Sequence, residues 1–387
     1  MTKSDDKRVP TLRFKGFTDE WEQRKLGCLM NITSVKRIHQ SDWRKKGIPF
    51  YRARDITALS KNLNIEEPIF ISRDLYEEYS KISGKVQIND LLVTGVGTIG
   101  VPLLVQTVPL YFKDGNIIWF QNSNKLIGLF FLYLFKTNTV QKYIHTTTGV
   151  GTVPTYTIQS GKNTPVYITS KKEQKDIGTI FQLIDNLISL QQRKLKLLNK
   201  LKKGLINNIL SSVLHFTSTK SVEHIVTFGD IFNYERPDNY IVSSENYVSS
   251  GIPVLTANKS FILGYSNENH PYNKGKAIIF DDFTLESKLV NFNFMVKSSA
   301  IKILTTKPSY DIDFCFVLLK NTPLIQEGHA RHYISRVQPT KVKVPNLTLQ
   351  RKYAKIFNTL EYKIRNSNSI QENLKLLKQF LLQNMFI

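Results

Sequence analysis

Cysteine is scarce in this chain, and long apolar runs are absent. Its two cysteines, Cys28 and Cys315, stand far apart, so the sequence has neither a disulfide framework nor zinc-ligand spacing. The opening residues MTKSDDKRVP lack the apolar core of a signal peptide. The most apolar stretch, LIGLFFLYLF at 126–135, is too short to cross a bilayer and predicts a buried helix or strand. We therefore expect a cytoplasmic protein with no membrane partner.

Catalytic motifs are also lacking. Residues 95–100 spell G-x-G-x-x-G, but the strand-like LLVQTVPLYF follows instead of a helix, which favours a glycine-rich β-turn over a dinucleotide site. No phosphate-binding G-x-x-x-x-G-K-[ST] loop occurs. His329 and His332 lie three residues apart without a third metal ligand. The sequence thus predicts a non-enzymatic chain that binds no metal and no cofactor of its own.

Acidic residues are too few to balance the basic ones. Lys and Arg number 53 and Asp and Glu 31, for a net charge of +22. This excess favours a polyanionic partner, and nucleic acid before an anionic membrane. The charge is uneven: +9 in residues 1–170, +6 in 171–214, +2 in 215–346 and +5 in 347–387. The two halves therefore differ electrostatically, which indicates ligand surfaces that have diverged on a shared framework.

What the chain does contain is an internal repeat. At an offset of 176 residues, Gln174 aligns with Gln350, Asp185 with Glu361 and Asn208 with Asn384. The length of 387 residues independently favours two domains. The predicted organisation is a globular domain at 1–170, a helix at 171–214, a second globular domain at 215–346 and a second helix at 347–387.

The two helical segments are amphipathic, since their apolar residues recur every three or four positions. Ser170 and Glu173 form a capping-box pattern at the start of the first helix. Segments of about 40 residues are long for globular helices and favour a coiled-coil pair. A pseudo-twofold axis would make the pair antiparallel. The residues expected between the helices or against a partner are Ile180, Phe181, Ile184, Ile188, Leu198, Leu201, Leu205, Ile356, Phe357, Leu360, Ile364, Leu374, Leu377 and Leu381.

Each globular half has the pattern of a mixed domain rich in strands. Short alternating runs at 86–95, 116–120, 276–283 and 299–306 indicate strands bounded by turn residues. Gly-Ile-Pro at 47–49 recurs at 251–253. The predicted fold class is α+β: two mixed α/β domains separated by two long antiparallel coiled-coil helices, with a pseudo-twofold internal repeat.

These motifs together resemble the specificity (S) subunit of type I restriction–modification systems over essentially the whole chain. The opening LRFKGFTDEWEQRKLG at 12–27 is similar to the family's entry segment, and both Gly-Ile-Pro blocks have counterparts there. Asp-Leu-Leu at 90–92 followed by Gly-Thr-Ile-Gly at 97–100 is similar to its strand and turn. The helix entry at 173–185 looks like its central region, whereas the second half departs from the pattern at 280–287.

The resemblance implies a division of labour. Each globular domain would be a target-recognition domain that reads one half of a bipartite site in double-stranded DNA. The helices would set the gap and dock two modification (M) subunits, which bring S-adenosylmethionine and adenine methylation. Restriction (R) subunits would add ATP- and Mg-dependent translocation and cleavage, so the complex, and not this chain, would be the enzyme.

Basic, amide and hydroxyl side chains near predicted loops are the candidates for DNA contact. Arg suits guanine and Asn or Gln suits adenine, while phosphate contacts position the protein. The neighbouring Asp55 could pair with Arg54 and hold its side chain in place. The candidates are Lys36, Arg37, Arg44, Lys45, Lys46, Arg52, Arg54, Thr98, Thr152, Tyr156, Asn258, Lys259, His329, Arg331, His332 and Tyr333.

Other functions stay open at this point. A stand-alone sequence-specific DNA-binding regulator could dimerise through its helices, and it would be stable without M. An unrecognised nuclease or methyltransferase would bind S-adenosylmethionine or cleave DNA by itself. A structural adaptor without DNA contact is disfavoured by the charge of +22.

Overall fold

The computed structural model describes residues 9–148, 154–215, 224–257, 260–325 and 331–387. Their contacts group into two compact units. Unit 1 comprises Met1–Gln192 and Ser369–Ile387, and unit 2 comprises Arg193–Asn368. The division falls within the two long helices, so each unit takes one part of either helix together with its own globular region.

The described part of unit 1 alternates short strands with short helices before the first long helix. In chain order these are β1 Glu22–Lys25, α1 Leu26–Leu29, β2 Asn31–Thr33, β3 Ile48–Tyr51, α2 Ala53–Ser60, β4 Ile69–Ile71, α3 Arg73–Ser83, β5 Leu91–Thr94, β6 Pro102–Leu104, β7 Tyr111–Phe112, β8 Ile117–Gln121, α4 Gly128–Phe135, α5 Asn138–Thr147, α6 Ile158–Asn163, β9 Pro165–Ile168 and α7 Lys171–His215.

Unit 1 has three small sheets. The largest is antiparallel with the order β2-β8-β5-β6, the second has the order β4-β3-β7, and β1 pairs with β9. All four residues of strand β5 are buried. Since successive side chains of a strand point to opposite sides of the sheet, both faces of β5 are covered. Val93 enters the core that contains α4, while Leu92 packs with Trp119 in the other core. The apolar stretch at 126–135 is confirmed as largely buried, mostly within α4.

Unit 2 repeats most of this series. Its elements are β10 His224–Thr227, α8 Phe228–Ile231, β11 Phe232–Glu235, β12 Ile252–Leu255, β13 Ile262–Ser266, β14 Ala277–Asp281, β15 Ser287–Val290, β16 Met295–Val296, β17 Ile301–Thr306, α9 Ile312–Asn321, β18 Lys341–Val344 and α10 Leu347–Asn384, with a π-helical turn at Tyr333–Val337 before β18.

The sheets of the two units have the same strand order. The four-stranded sheet of unit 2 runs β11-β17-β14-β15, its three-stranded sheet runs β13-β12-β16, and β10 pairs with β18. Helix α9 follows β17 as α4 follows β8. The topology therefore confirms the internal repeat and the mixed α/β class. Unit 1 differs by carrying α2 and α3 around β4, where the described part of unit 2 has no helix.

The repeated Gly-Ile-Pro blocks have a steric cause. Gly47 and Gly251 both adopt φ +137°, a conformation that side chains rarely enter. A β-carbon at Gly47 would collide with the carbonyl oxygen of Ile71, and one at Gly251 would lie 2.7 Å from that of Ser266. Glycine is therefore required for β3 and β12 to pair closely with the strand beside them.

Within unit 1, α7 and α10 pack antiparallel. Lys378 Nζ donates to Asp185 Oδ1 at 2.5 Å, and the rings of Phe181 and Phe386 have centroids 5.8 Å apart. The earlier residue of α7, Phe181, thus contacts the later residue Phe386, just beyond α10, and the later residue Asp185 contacts the earlier Lys378. Lys136 of the globular region also lies at this junction, where burial and the Lys378 ammonium lower its pKa to about 8 against the pull of Asp185.

Within unit 2, the remaining parts of the same helices are also antiparallel. Lys202 pairs with Glu361, and Ile206 shares a core with Phe357 and Ala354. By the 176-residue offset, Lys202 corresponds to the Lys378 of unit 1. The same lysine–carboxylate ion pair therefore occurs once in each unit, with Asp185 in unit 1 and the longer Glu361 in unit 2.

The start of α7 follows the predicted capping box only in part. Ser170 Oγ accepts the Glu173 N–H at 3.3 Å. The carboxylate of Glu173 does not return to the cap, because it accepts two bonds from Arg13, at 2.6 and 2.8 Å. The ion pair with Arg13 and a hydrogen bond from the Thr169 hydroxyl thus take the place of the predicted bond from the Ser170 N–H. Among the helices described here, none combines the length and apolarity needed to span a bilayer.

Candidate nucleic-acid interface

The loop between β2 and β3 of unit 1 carries five exposed cations. Lys36, Arg37, Arg44, Lys45 and Lys46 are all exposed. These five predicted contacts are therefore placed together on one surface loop, where their charges can meet a polyanion.

Two of these cations are held in place by neighbours. The Lys36 ammonium lies 4.0 Å from the centroid of the Tyr79 ring. Arg37 Nε donates to Asp114 Oδ2 at 2.8 Å, and this bond raises the pKa of Arg37. The Arg37 side chain is nevertheless 69% exposed, so its other donors stay available to a ligand.

A cleft of about 390 Å³ opens beside Arg37. The indole N–H of Trp43 is buried there without a hydrogen-bond partner within the described residues. The guanidinium, imidazole and amide groups in its lining are of the types that read base edges in a DNA groove. The residues that line the cleft are Arg37, Ile38, His39, Gln40, Trp43, Lys113, Asp114, Gly115 and Asn116.

Arg52 and Arg54 have different roles. Arg52 is 14% exposed and its guanidinium donates to both carboxylate oxygens of Asp55, at 2.7 and 3.0 Å. It also donates to the Glu67 carbonyl. Arg52 therefore caps α2 with its guanidinium bonded inside unit 1, and its role as a DNA contact stays a prediction. Asp55 holds Arg52 and not Arg54, which is 60% exposed and pairs with Glu67 at 2.8 Å.

The glycine-rich segment at 95–100 is a turn between the antiparallel strands β5 and β6, as the sequence favoured. Thr98 is exposed there, and its carbonyl accepts a bond from Thr94 Oγ1. Tyr156 is 1% exposed, and its hydroxyl bonds to Thr164 Oγ1 at 2.5 Å. Tyr156 is thus a core residue and not a DNA contact. Thr152 lies outside the described residues.

In unit 2, one of the predicted contacts reaches the surface. Arg331 is exposed, with its guanidinium 6.0 Å from the centroid of the Phe283 ring. His332 and Tyr333 are 2% and 0% exposed, so both predictions of DNA contact are wrong. Their backbone N–H groups donate to Asp282 Oδ1 at 2.9 and 2.7 Å. Asn258, Lys259 and His329 lie outside the described residues.

The helix residues predicted to be interfacial divide by exposure. Those that are buried are Phe181, Ile184, Phe357, Leu360 and Ile364, and those that are partly buried are Ile180, Ile188, Leu198, Leu205, Ile356, Leu374 and Leu381. Leu201 and Leu377, which correspond to each other, are 50% and 45% exposed. These two do not pack between the helices and stay candidates only for a partner.

Residues 18–200 match the family described as the type I restriction modification DNA specificity domain. This region, just under half of the chain, is similar to that family. The match covers the globular region of unit 1 and continues into α7, and the strand order extends the same architecture to unit 2.

Specificity subunits of several organisms are similar to the chain. The Escherichia coli type I restriction enzyme EcoR124I/EcoR124II specificity subunit is 41% identical over 125 residues, which are 30% of this chain and 31% of that protein. The chain therefore matches about a third of the length of this relative. A Methanocaldococcus jannaschii protein, named as the MjaX type I restriction enzyme specificity subunit, is 23% identical over 94% of this chain and 93% of its own.

A solved structure has the same fold over nearly the whole length. The type I restriction–modification system S subunit from M. genitalium superposes with a TM-score of 0.66, covering 98% of this chain and 99% of that one at 16% identity. The two-unit architecture is therefore shared with a chain whose sequence has diverged almost completely.

The sequence-based selection of site residues missed part of the cleft. His39, Gln40, Lys113 and Asn116 line it but were not selected. The available signal was the Asp114-Gly115 turn, which places a polar tip between two buried strands. Lys113 and Asn116 approach Arg37 only through strand pairing across some 75 residues, which lies beyond local pattern, whereas His39 and Gln40 are its near neighbours in sequence.

Proposed function

We propose that this chain is the DNA-reading specificity subunit of a type I restriction–modification complex. Each unit reads one half of a bipartite site in double-stranded DNA. The observation that carries the proposal is one strand order used twice with different exposed side chains, in a chain of net charge +22. A shared core with diverged surfaces is what two readers of different half-sites require.

The β2–β3 loop and its cleft are the proposed reading surface of unit 1. Lys36, Lys45 and Lys46 supply cations for phosphates, while Arg37 and the polar wall of the cleft face base edges. Arg44 is fixed by donating Nη1 to the carbonyls of Ser41 and Trp43, both at 2.9 Å. Arg54 and Thr98 flank this surface as further candidates, and Arg331 is the candidate of unit 2.

The long helices dock two modification subunits and set the gap between half-sites. The helix pair of unit 1 exposes large apolar side chains. A second copy of this chain is a poor occupant because both copies carry +22. Methylation with S-adenosylmethionine belongs to the modification subunits, and ATP- and Mg-dependent cleavage belongs to restriction subunits, so this chain is not itself an enzyme.

Co-expression with a modification subunit tests the proposal. Cells that carry both chains should acquire adenine methylation at one bipartite motif, and cells that carry either chain alone should not. Genome-wide methylation sequencing gives the two half-sites and the gap directly. A motif with a single continuous block, or methylation that persists without this chain, would contradict the proposed role.

A further inference from the structure

Two buried glutamines connect each globular region to its long helix in the same way. Gln174 and Gln350 correspond through the 176-residue repeat and are 2% and 1% exposed. Gln174 Oε1 accepts the Ile127 N–H at 2.9 Å, and its Nε2 donates to the Thr169 carbonyl at 2.7 Å. Both hydrogen-bonding ends of the side chain are therefore used within unit 1.

Unit 2 reproduces these bonds with different neighbours. Gln350 Oε1 accepts the Asp311 N–H at 2.9 Å, and its Nε2 donates to the Pro345 carbonyl at 2.7 Å. Ile127 and Asp311 are the N-cap residues of α4 and α9, the helices that follow the last strand of each four-stranded sheet. Each glutamine thus joins the first turn of a long helix to the first turn of a helix in the globular region.

In unit 1 the bonded path continues into the sheet. Asn122 exchanges hydrogen bonds with the backbone of Leu126, and its own N–H donates to Asp90 Oδ1 at 2.9 Å. Asp90 also accepts the indole N–H of Trp119, a residue of β8. These buried polar groups leave the connection between sheet and helix little freedom to move. Breaking any of their hydrogen bonds would leave a buried donor or acceptor unpaired, at the full cost of its desolvation.

In unit 2 an ion pair makes the corresponding link. Lys276, just before β14, donates to both oxygens of Asp313 in the first turn of α9 at 2.6 Å. The residues between sheet and helix have therefore changed, while the glutamine bonds at the long helix are the same. Conservation of a geometry across two diverged halves of one chain indicates a shared mechanical requirement.

We propose that Gln174 and Gln350 are positioning residues that fix the angle of each recognition region on its helix, and thereby the gap length that the complex accepts. The inference rests on the proposed function. A duplex turns once in about 10–10.5 base pairs, so a change of one base pair rotates a half-site by roughly 35°. Only a rigid junction between the recognition region and its helix can reject a half-site rotated by this angle. Neither glutamine lies in the reading surface of unit 1.

The test measures gap discrimination and half-site letters separately. The chain, assembled with its modification subunits, methylates a DNA library in which the two half-sites are constant and the gap is one base pair shorter, correct or one longer. Gln174→Met and Gln350→Met keep the side-chain volume and remove both bonds. Gln192→Met is the matched control, because Gln192 is exposed on α7.

We expect each Met variant to lower the preference for the correct gap by at least about tenfold, since each loses two buried hydrogen bonds and the loss of one already corresponds to roughly one decade in an equilibrium constant. The half-site letters and the control should not change. Gap preference within twofold of wild type in intact assemblies, or altered letters, would overturn the inference.

A second pair of variants covers failure to assemble. Gln174→Glu and Gln350→Glu keep an oxygen that accepts the N-cap N–H but lose the donor, and they should lower gap preference as well. If none of the four variants assembles, the glutamines serve folding and the inference is wrong. A wild-type assembly without any gap preference contradicts the proposed function too, whereas a wild-type preference that all variants retain contradicts this inference alone.

Discussion

Units 1 and 2 share a strand order and a glutamine junction, yet they present different surfaces. The difference is clear on the exposed face of the helices. Large apolar residues at six positions of unit 1 correspond, through the repeat, to mostly polar or small residues in unit 2. Leu183, Leu187, Leu190, Leu376, Leu377 and Phe380 align with Thr359, Lys363, Asn366, Lys200, Leu201 and Gly204.

This contrast shows which positions a duplicated framework must keep. Residues that hold a junction, such as Gln174 and Gln350, stay the same because both ends of the side chain are bonded. Exposed positions change freely, and unit 2 places its own exposed apolar residues, Leu197 and Tyr362, elsewhere on its helices. We therefore expect the two units to differ in partner affinity as well as in DNA sequence.

The largest expected effect concerns the modification subunits. Leu183→Asp combined with Leu187→Asp should weaken association at unit 1 by at least about a hundredfold, because burying two leucines contributes roughly 3 kcal/mol or more. The matched pair Thr359→Asp and Lys363→Asp in unit 2 should weaken association with the modification subunit by less than about threefold. Titration calorimetry with the modification subunit measures both. Equal losses would show that the helical faces are equivalent after all.

Helix contact with the globular region should also differ between units. A β-carbon at Gly178 would lie 2.8 Å from Leu129 Cβ and 2.9 Å from the Phe130 nitrogen, whereas Ala354 occupies the corresponding site in unit 2. Gly178→Ala should destabilise unit 1 by about 1–2 kcal/mol, since overpacking exceeds the gain in helix propensity. Denaturant unfolding gives the value. A stabilised variant would contradict the close approach of α7 to α4.

Each unit should lose only its own half-site specificity. Arg37→Ala is expected to weaken DNA binding by about tenfold and to relax the half-site read by unit 1, as for loss of one base-reading arginine. Arg331→Ala should relax the other half-site. Methylation sequencing of the two variants distinguishes them. Relaxation of both half-sites by either substitution would break the assignment of one half-site to each unit.

The smallest effect is a pH dependence. The pKa of Lys136 is lowered to about 8, so above this pH the folded chain binds fewer protons at Lys136 than the unfolded chain, whose lysine titrates near 10.5. This lysine therefore makes stability rise between about pH 8 and 10.5, and Lys136→Met should remove that rise. Lys320 corresponds to it in unit 2 and has a lowered pKa through burial, Lys288 and Lys202.

Thermal unfolding from pH 7.5 to 10 compares wild type with the two lysine variants. Because the Lys320 side chain is more exposed than that of Lys136, Lys320→Met should change the pH profile less than Lys136→Met. A wild-type profile that is parallel to that of Lys136→Met would mean that Lys136 titrates normally.

Much of the framework was readable from the sequence. The two long helices begin at Lys171 and Leu347, as the sequence predicted. These starts, the turn at 95–100 and the repeated Gly-Ile-Pro blocks depend on local spacing and backbone preference. The predicted DNA contacts fared less well, because Arg52, Tyr156, His332 and Tyr333 carry suitable chemistry but are used inside the fold. Residue type alone does not distinguish a buried polar group from an exposed one.

The basic charge, the duplication and the two long amphipathic helices all follow from the order of the amino acids, since composition and periodicity are local properties. The fold itself brings Arg37 to Asp114, Gln174 to Ile127 and Gln350 to Asp311. These residues are far apart in the chain, so strand pairing and helix packing set their direction and distance. Arg52 and Asp55 are close in sequence, but residue type did not distinguish Arg52 from Arg54 as the partner of Asp55.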